Sequence, residues 1–164
     1  MRRRRPSDYA LRLLEKQKLR NAYGLRERQF ARYMKRARQE PGITGQYLLQ
    51  LLERRLDNVV HRLNYASSRS QARQLVTHGH FTVNGRKLDI PSAILRPNDV
   101  VAWKEQSKGR DFVQLLAERV PHGAVPAWLS LDPATGEGRV VSLPDVTELE
   151  GRVDTRMIVE FYSR

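Results

Sequence analysis

The most telling chemistry lies in one short stretch. Arg69 and Arg73 stand four apart, as do Gln74 and His78, and Arg86-Lys87 follow an Asn84-Gly85 pair. Helical residues four apart share a face, so the pattern predicts a basic helix face that ends at Gly79, beside a basic turn. Ser70, Gln71, Thr77, His80 and Asn84 add donors and acceptors along the same edges. Double-stranded RNA is recognised by shape and by phosphate and 2′-hydroxyl contacts, which call for these side chains rather than a base-reading code. The expectation is an L-shaped cleft whose edges follow two phosphate strands.

Other candidate chemistry is thin. The chain has no cysteine, which excludes a disulfide framework, a thiolate nucleophile and a Cys-based zinc site in these residues. His78 and His80 supply two metal ligands at most, with no carboxylate nearby. Thr135-Gly136-Glu137-Gly138 lacks the Lys-Ser/Thr ending of a phosphate loop and reads as a hairpin turn. Asp145, Glu148, Glu150 and Asp154 read as solvated charge. No metal, cofactor or catalytic residue is expected.

The whole-chain charge agrees with a polyanionic partner. The 164 residues carry 30 Lys and Arg against 18 Asp and Glu, a net charge of +12. Residues 1–40 hold +10 and residues 54–110 hold +7, whereas residues 111–164 hold −4. A single-sign field over the first two-thirds concentrates a polyanion there. The acidic last third suits packing or a basic protein. Arg2, Arg3, Arg4 and Arg5 form an arm expected to order on RNA phosphate. Ser7-Asp8-Tyr9 follows it in place of the apolar run a secretory signal needs. No stretch is apolar enough to span a membrane, and the cytoplasm is the expected compartment.

The elements that must position these groups can be read from periodicity. Ser7 caps a helix with Leu11, Leu14 and Lys18-Leu19 at helical spacing, and Gly24 closes it. Its cationic candidates are Arg12, Lys16, Lys18 and Arg20. A second helix over Arg26–Gln39 turns Phe30, Tyr33, Met34 and Ala37 inward and exposes Arg26, Arg28, Arg32, Lys35, Arg36 and Arg38. Thr44 caps one long central helix through Leu63, and Ser67 or Ser68 caps a short helix from Arg69 to His78. The period then changes to two: Phe81-Thr82-Val83 and Arg86-Lys87-Leu88 form a hairpin about Asn84-Gly85. Ile90–Leu95, Val100–Trp103, Trp128–Leu131, Arg139–Leu143 and Met157–Tyr162 read as strands. Asp111–Arg119 reads as a helix with Phe112, Leu115 and Leu116 inward.

The chain resembles the bacterial-type family of the small-subunit (30S) ribosomal protein numbered four. The resemblance is carried by Leu51-Leu52-Glu53-Arg54-Arg55-Leu56-Asp57-Asn58, Ala72-Arg73-Gln74-Leu75-Val76, Val83-Asn84-Gly85-Arg86, Pro126-Ala127-Trp128-Leu129-Ser130-Leu131 and Ile158-Val159-Glu160-Phe161-Tyr162-Ser163-Arg164. It covers nearly the whole chain. The chain starts inside the family pattern, whose members begin roughly 40 residues earlier with a segment that in some holds a four-cysteine zinc site. Ala93 replaces an aromatic, and Trp103-Lys104-Glu105-Gln106 replaces a more basic run.

The resemblance implies an α+β fold. Residues 1–53 would form a helical RNA-binding lobe. Residues 54–115 would form an alpha-L type RNA-binding module of helices and antiparallel sheet. Residues 116–164 would be a tail with short strands packing back on the helical lobe. It implies a structural constituent of the small subunit that binds the 5′ domain of small-subunit ribosomal RNA at a multi-helix junction, early in assembly. The neighbours would be proteins numbered three and five, with Arg2–Arg5 near the place where mRNA enters.

Other readings are weaker. Arg55-Leu56-Asp57 resembles the catalytic Arg-Leu-Asp of pseudouridine synthases, but here it sits in front of the module, and too few residues follow residue 115 for a catalytic domain. Asp57 is expected to pair with a nearby arginine. A free-standing RNA chaperone would lack the helical lobe and the tail. A DNA binder would show a recognition helix with exposed Asn, Gln and Arg.

Overall fold

The computed structural model describes residues 3–119 and 123–163. Along them run α1 (Asp8–Ala22), α2 (Glu27–Gln39), α3 (Thr44–Glu53), α4 (Leu56–Arg62), α5 (Arg69–Thr77), β1 (Phe81–Val83), β2 (Arg86–Lys87), β3 (Val100–Trp103), α6 (Glu105–Lys108), α7 (Asp111–Arg119), β4 (Leu129–Leu131), β5 (Gly138–Val140), α8 (Thr147–Glu150) and α9 (Thr155–Phe161). They form two units, one of residues 1–52 with 145–164 and the other of residues 53–144.

In the first unit, Ser7 caps α1 by accepting the Ala10 N–H, and Gly24 takes the left-handed conformation that ends it. Phe30, Tyr33, Met34 and Ala37 of α2 are all buried, as their spacing predicts. On α1 the buried residues are Lys16 and Leu19, while Leu14 is 60% exposed. Lys16 replaces the apolar stripe because its charge is met inside the lobe: its ammonium pairs with Glu27 and lies 5.0 Å from the Phe161 ring centroid. Tyr162 donates to the same Glu27 carboxylate at 3.2 Å. Burial alone would raise the Glu27 carboxyl, but Lys16 and Tyr162 outweigh it and hold it below its ordinary range.

Residues Met157–Tyr162, expected as a strand, instead form the end of α9 and its C-cap, Tyr162. Asp154 accepts the Met157 N–H and caps α9, and Ile158, Phe161 and Tyr162 then share one face. Ile158 is fully buried, Tyr162 stacks near Phe30 and Phe161 near Tyr9. The Thr155 side chain lies so close to Gly45 that no Cβ fits there, which lets the backbones of α3 and α9 approach.

The second unit holds an antiparallel sheet in the order β2-β1-β3-β5-β4. Its core combines Leu56, Val59, Val60 and Leu63 of α4 with Ala72 and Val76 of α5, Phe81 and Val101 of the sheet, and Trp128, Leu129 and Val140. The expected tail therefore divides. Its strands β4 and β5 belong to this sheet because Trp128, Leu129 and Val140 fill this core, and only residues 145–164 join the helical lobe. The sheet ends at β5 rather than at the C-terminus. On α7, Val113 turns inward and Leu115 is 46% exposed, the reverse of the expectation for Leu115.

The single central helix is also corrected: it breaks between Glu53 and Leu56. Arg55 is extended (φ −61°, ψ 141°) and bridges Ile94. The Leu56 N–H donates to the Ala93 carbonyl at 2.8 Å, and the Leu95 N–H to the Arg54 carbonyl at 2.9 Å. Residues 90–95 thus spend their backbone on this break, with the Pro91 carbonyl accepting from Asp57, and do not form a sheet strand.

A polar network is buried at the break. Arg55 and Asp57, 0% and 2% exposed, form a two-bond pair at 3.0 and 2.8 Å. Asp57 also accepts the Asn58 N–H at 2.7 Å, and the Asn58 amide donates to the Glu53 carbonyl and carboxylate at 2.7 and 3.0 Å. Arg62 clasps Glu53 from the other side, and Arg69 donates to the Asn58 amide oxygen at 2.8 Å. Asp57 thus fills the structural role expected of it.

Truncating one partner of a buried ion pair leaves the other charge uncompensated and costs ~3–5 kcal/mol. Asp57→Ala should lower unfolding free energy by that much in urea denaturation; a loss under ~0.5 kcal/mol, as for a surface site, would contradict the assigned role. The Glu27 carboxyl, depressed in the folded state, contributes stability that is present above its unfolded value of ~4.3 and fades as pH falls through the folded one. Thermal unfolding across the acid range should therefore show a smaller acid-induced loss in Glu27→Gln than in the parent; parallel curves would contradict it.

Candidate nucleic-acid interface

The short helix and hairpin form as their sequence dictates. Ser68 caps α5 by accepting the Gln71 N–H at 3.1 Å. Gly79 (φ 79°) lets the chain leave α5 directly into β1, and Asn84 and Gly85 (φ 53° and 79°) make the two-residue turn. Pairing sets Lys87 opposite Thr82 and Arg86 opposite Val83. Neighbouring strand residues point to opposite faces, so the two cations part company. Lys87 lies back over Gly79, where a Cβ would stand 2.5 Å from its Cε. The hairpin therefore brings Lys87 to the foot of α5 and turns Arg86 the other way.

Arg73, Gln74 and His78 are exposed on α5, as is Ser70. No ion pair or side-chain hydrogen bond engages Arg73, Gln74, Arg86 or Lys87 among the described residues. Other predicted contacts are occupied within the unit. The Arg69 guanidinium donates to Asn58 and stands 3.9 Å from the Glu53 carboxylate. Gln71 accepts from the Ser67 N–H and hydroxyl at 2.7 and 2.8 Å, and Thr77 donates to the Arg73 carbonyl. Asn84 accepts from the Val100 N–H and donates to Asp99, tying the hairpin turn to β3. His80 is half-buried, 2.9 Å from the Ser107 hydroxyl and edge-on to the Phe112 ring. Burial first, then Arg110, His78 and Lys104, push its imidazole below the ordinary value.

The helical lobe sorts its cations in the same way. Arg3, Arg4, Arg5, Arg26, Arg28, Arg32 and Arg36 are exposed; Arg2 lies outside the described residues. Arg28, Arg32 and Arg36 repeat every four residues along α2 and form one basic stripe, which exposed Lys35 extends. Lys16 is withdrawn from this surface by its pair with Glu27, a correction to its expected RNA role. Arg12 pairs with Glu160 at 3.1 Å, Lys18 donates to the Arg152 carbonyl at 2.7 Å, and Arg20 donates to Gln17 and the Leu25 carbonyl.

The acidic residues near the C-terminus do not converge on a site. Asp145 accepts from the Thr147 N–H and hydroxyl, Asp154 caps α9, and Glu148 stands 3.5 Å from Arg152. Two cations of the second unit were not read as site residues: Lys104, whose N–H donates to the His80 carbonyl at 2.8 Å, and exposed Arg110, which flank α6.

Known proteins share this arrangement in sequence. Residues 54–101 match the S4 domain family, and residues 1–53 match the ribosomal protein S4/S9 N-terminal domain. The chain is 49% identical over 162 residues to the small ribosomal subunit protein uS4 of Pelotomaculum thermopropionicum, covering 99% of this chain and 78% of that protein. It is 54% identical over 159 residues to uS4 of Persephonella marina (96% and 77%) and 50% identical over 161 residues to uS4 of Thermus thermophilus (98% and 77%). At this identity and coverage, the chain belongs to the uS4 family of small ribosomal subunit proteins, structural constituents of the ribosome rather than enzymes.

Proposed function

We propose that the chain holds folded small-subunit ribosomal RNA through its sugar–phosphate edges. One observation carries the reading: Lys87 reaches back to the foot of the helix that exposes Arg73, Gln74 and His78, with no acidic neighbour competing for these groups among the described residues. Such an edge holds phosphates without selecting bases, which suits recognition by shape. The α2 stripe of Arg28, Arg32 and Arg36, with Arg26 and the arm, supplies a second phosphate-binding surface. Affinity is then the whole mechanism, and no bond is made or broken.

The names of the relatives support a place in the small subunit, and the finer assignment rests on the family resemblance. The bound element is the 5′ domain of the RNA at a multi-helix junction, taken up early in subunit assembly. The arm lies near the point where mRNA enters, beside the neighbours numbered three and five, and the protein contributes to translational accuracy. The acidic C-terminal third meets the neighbour numbered five. The protein works in the cytoplasmic ribosome.

Each phosphate contact releases counterions, so binding to a 5′-domain transcript should weaken steeply with salt. Arg73→Ala and Lys87→Ala should each cost ~1–3 kcal/mol of binding and lower the slope of log affinity against log salt by about one. Filter binding over a salt series measures both; an unchanged affinity and slope in both variants would reject this face. Arg69→Ala should differ, losing thermal stability as well, because Asn58 and Glu53 lose a partner.

A further inference from the structure

Beside the cationic edge, α5 and α7 enclose an open groove of about 420 Å³, within the ~300–1,000 Å³ of small-ligand clefts. Phe112, Leu115 and Leu116 make one wall, and Leu75 adds apolar surface from α5. Polar groups face them from the other side. Gln71 accepts two hydrogen bonds from Ser67 with its amide oxygen, which leaves its NH₂ as a pair of fixed donors. Gln74 is exposed and brings both a donor and an acceptor, unengaged among the described residues.

The surroundings decide what such a groove takes. Arg73 adjoins Gln74 on α5. At the α7 side, Phe112 contacts His80, the Lys104 N–H donates to the His80 carbonyl at 2.8 Å, and exposed Arg110 stands two residues before Phe112. An apolar slot with one aromatic wall and two amide edges, flanked in sequence by exposed Arg73 and Arg110, is complementary to a flat heterocycle attached to phosphate. An apolar protein segment would gain nothing from these arginines.

We propose that this groove receives one unstacked nucleobase of the bound RNA, its plane against Phe112, its edge on Gln74, and its flanking phosphates on Arg73 and Arg110. The proposal rests on the RNA reading above and adds a base contact to an interface otherwise made of phosphate contacts. A base stacked on an aromatic ring contributes to affinity without releasing counterions. Its loss should therefore leave a signature opposite to the loss of an arginine: weaker binding with an unchanged salt slope.

The test uses the full chain and a 5′-domain ribosomal RNA transcript. Phe112→Leu keeps an apolar side chain but removes the ring. Gln74→Ala alters an exposed helix position and keeps the test open if Phe112→Leu disturbs packing. Each should weaken binding about fivefold or more, keep the salt slope of the parent, and raise base-directed chemical reactivity at one nucleotide of an otherwise unchanged footprint. Gln74→Ala binding within twofold of the parent with no change in reactivity would overturn the base slot and leave the phosphate reading standing. A fall in salt slope in Gln74→Ala would also overturn it. Failure of the unaltered chain to bind the transcript would reject both readings.

Discussion

Two charges that water barely reaches, on Arg55 and Asp57, organise the second unit. An unpaired charge at that depth would cost several kcal/mol, so the guanidinium and carboxylate must meet, and with only Leu56 between them they do so where the chain leaves helical geometry. That constraint sets the break between α3 and α4. The break frees the backbone of residues 54–57 to bond residues 91–95. Through Asn58 it also reaches Arg69 and fixes the first turn of α5. The helix that displays Arg73 is thus held from both ends: by this network at its start, and by Gly79 and the hairpin at its close.

The same chemistry is put to two uses. Arginine, lysine and glutamine on one unit face either an internal partner or the solvent, and the difference is decided by tertiary neighbours. Arg69 and Arg73 are four residues apart on one helix, yet the first meets Asn58 and Glu53 while the second has an open surface. Lys16 is spent on Glu27, whereas Lys35 stays exposed. Internal pairing of part of the charge leaves a smaller set of cations at defined places, which gives an electrostatic surface its geometry.

Local signals made much of this legible. Caps at Ser7 and Ser68, the apolar stripe of α2 and the Asn84-Gly85 turn are encoded within a few residues, and each formed where it was read. The pairing of Asp57 was legible too, because Arg55 stands two residues away. The misreadings fall where long-range neighbours decide. Met157–Tyr162 is apolar enough to pass for a strand, and Asp154 with the surface offered by Phe30 and Tyr9 selects the helix. The break after Glu53 depends on a segment some 40 residues on, which periodicity does not see. Which of Arg86 and Lys87 turns toward α5 follows only from the strand register.

The order in which the polypeptide leaves the ribosome gives the division into units a temporal meaning. The helical lobe joins segments far apart in the sequence, so Phe161 and Tyr162, which close around Lys16, are made long after it. Residues 53–144 complete their own core earlier and can fold while synthesis continues. During translation Lys16 and Phe30 wait uncovered until residues 155–162 have emerged. Truncation before Phe161 would strand an interior lysine and an aromatic core in water while sparing the unit that carries Arg73 and Lys87.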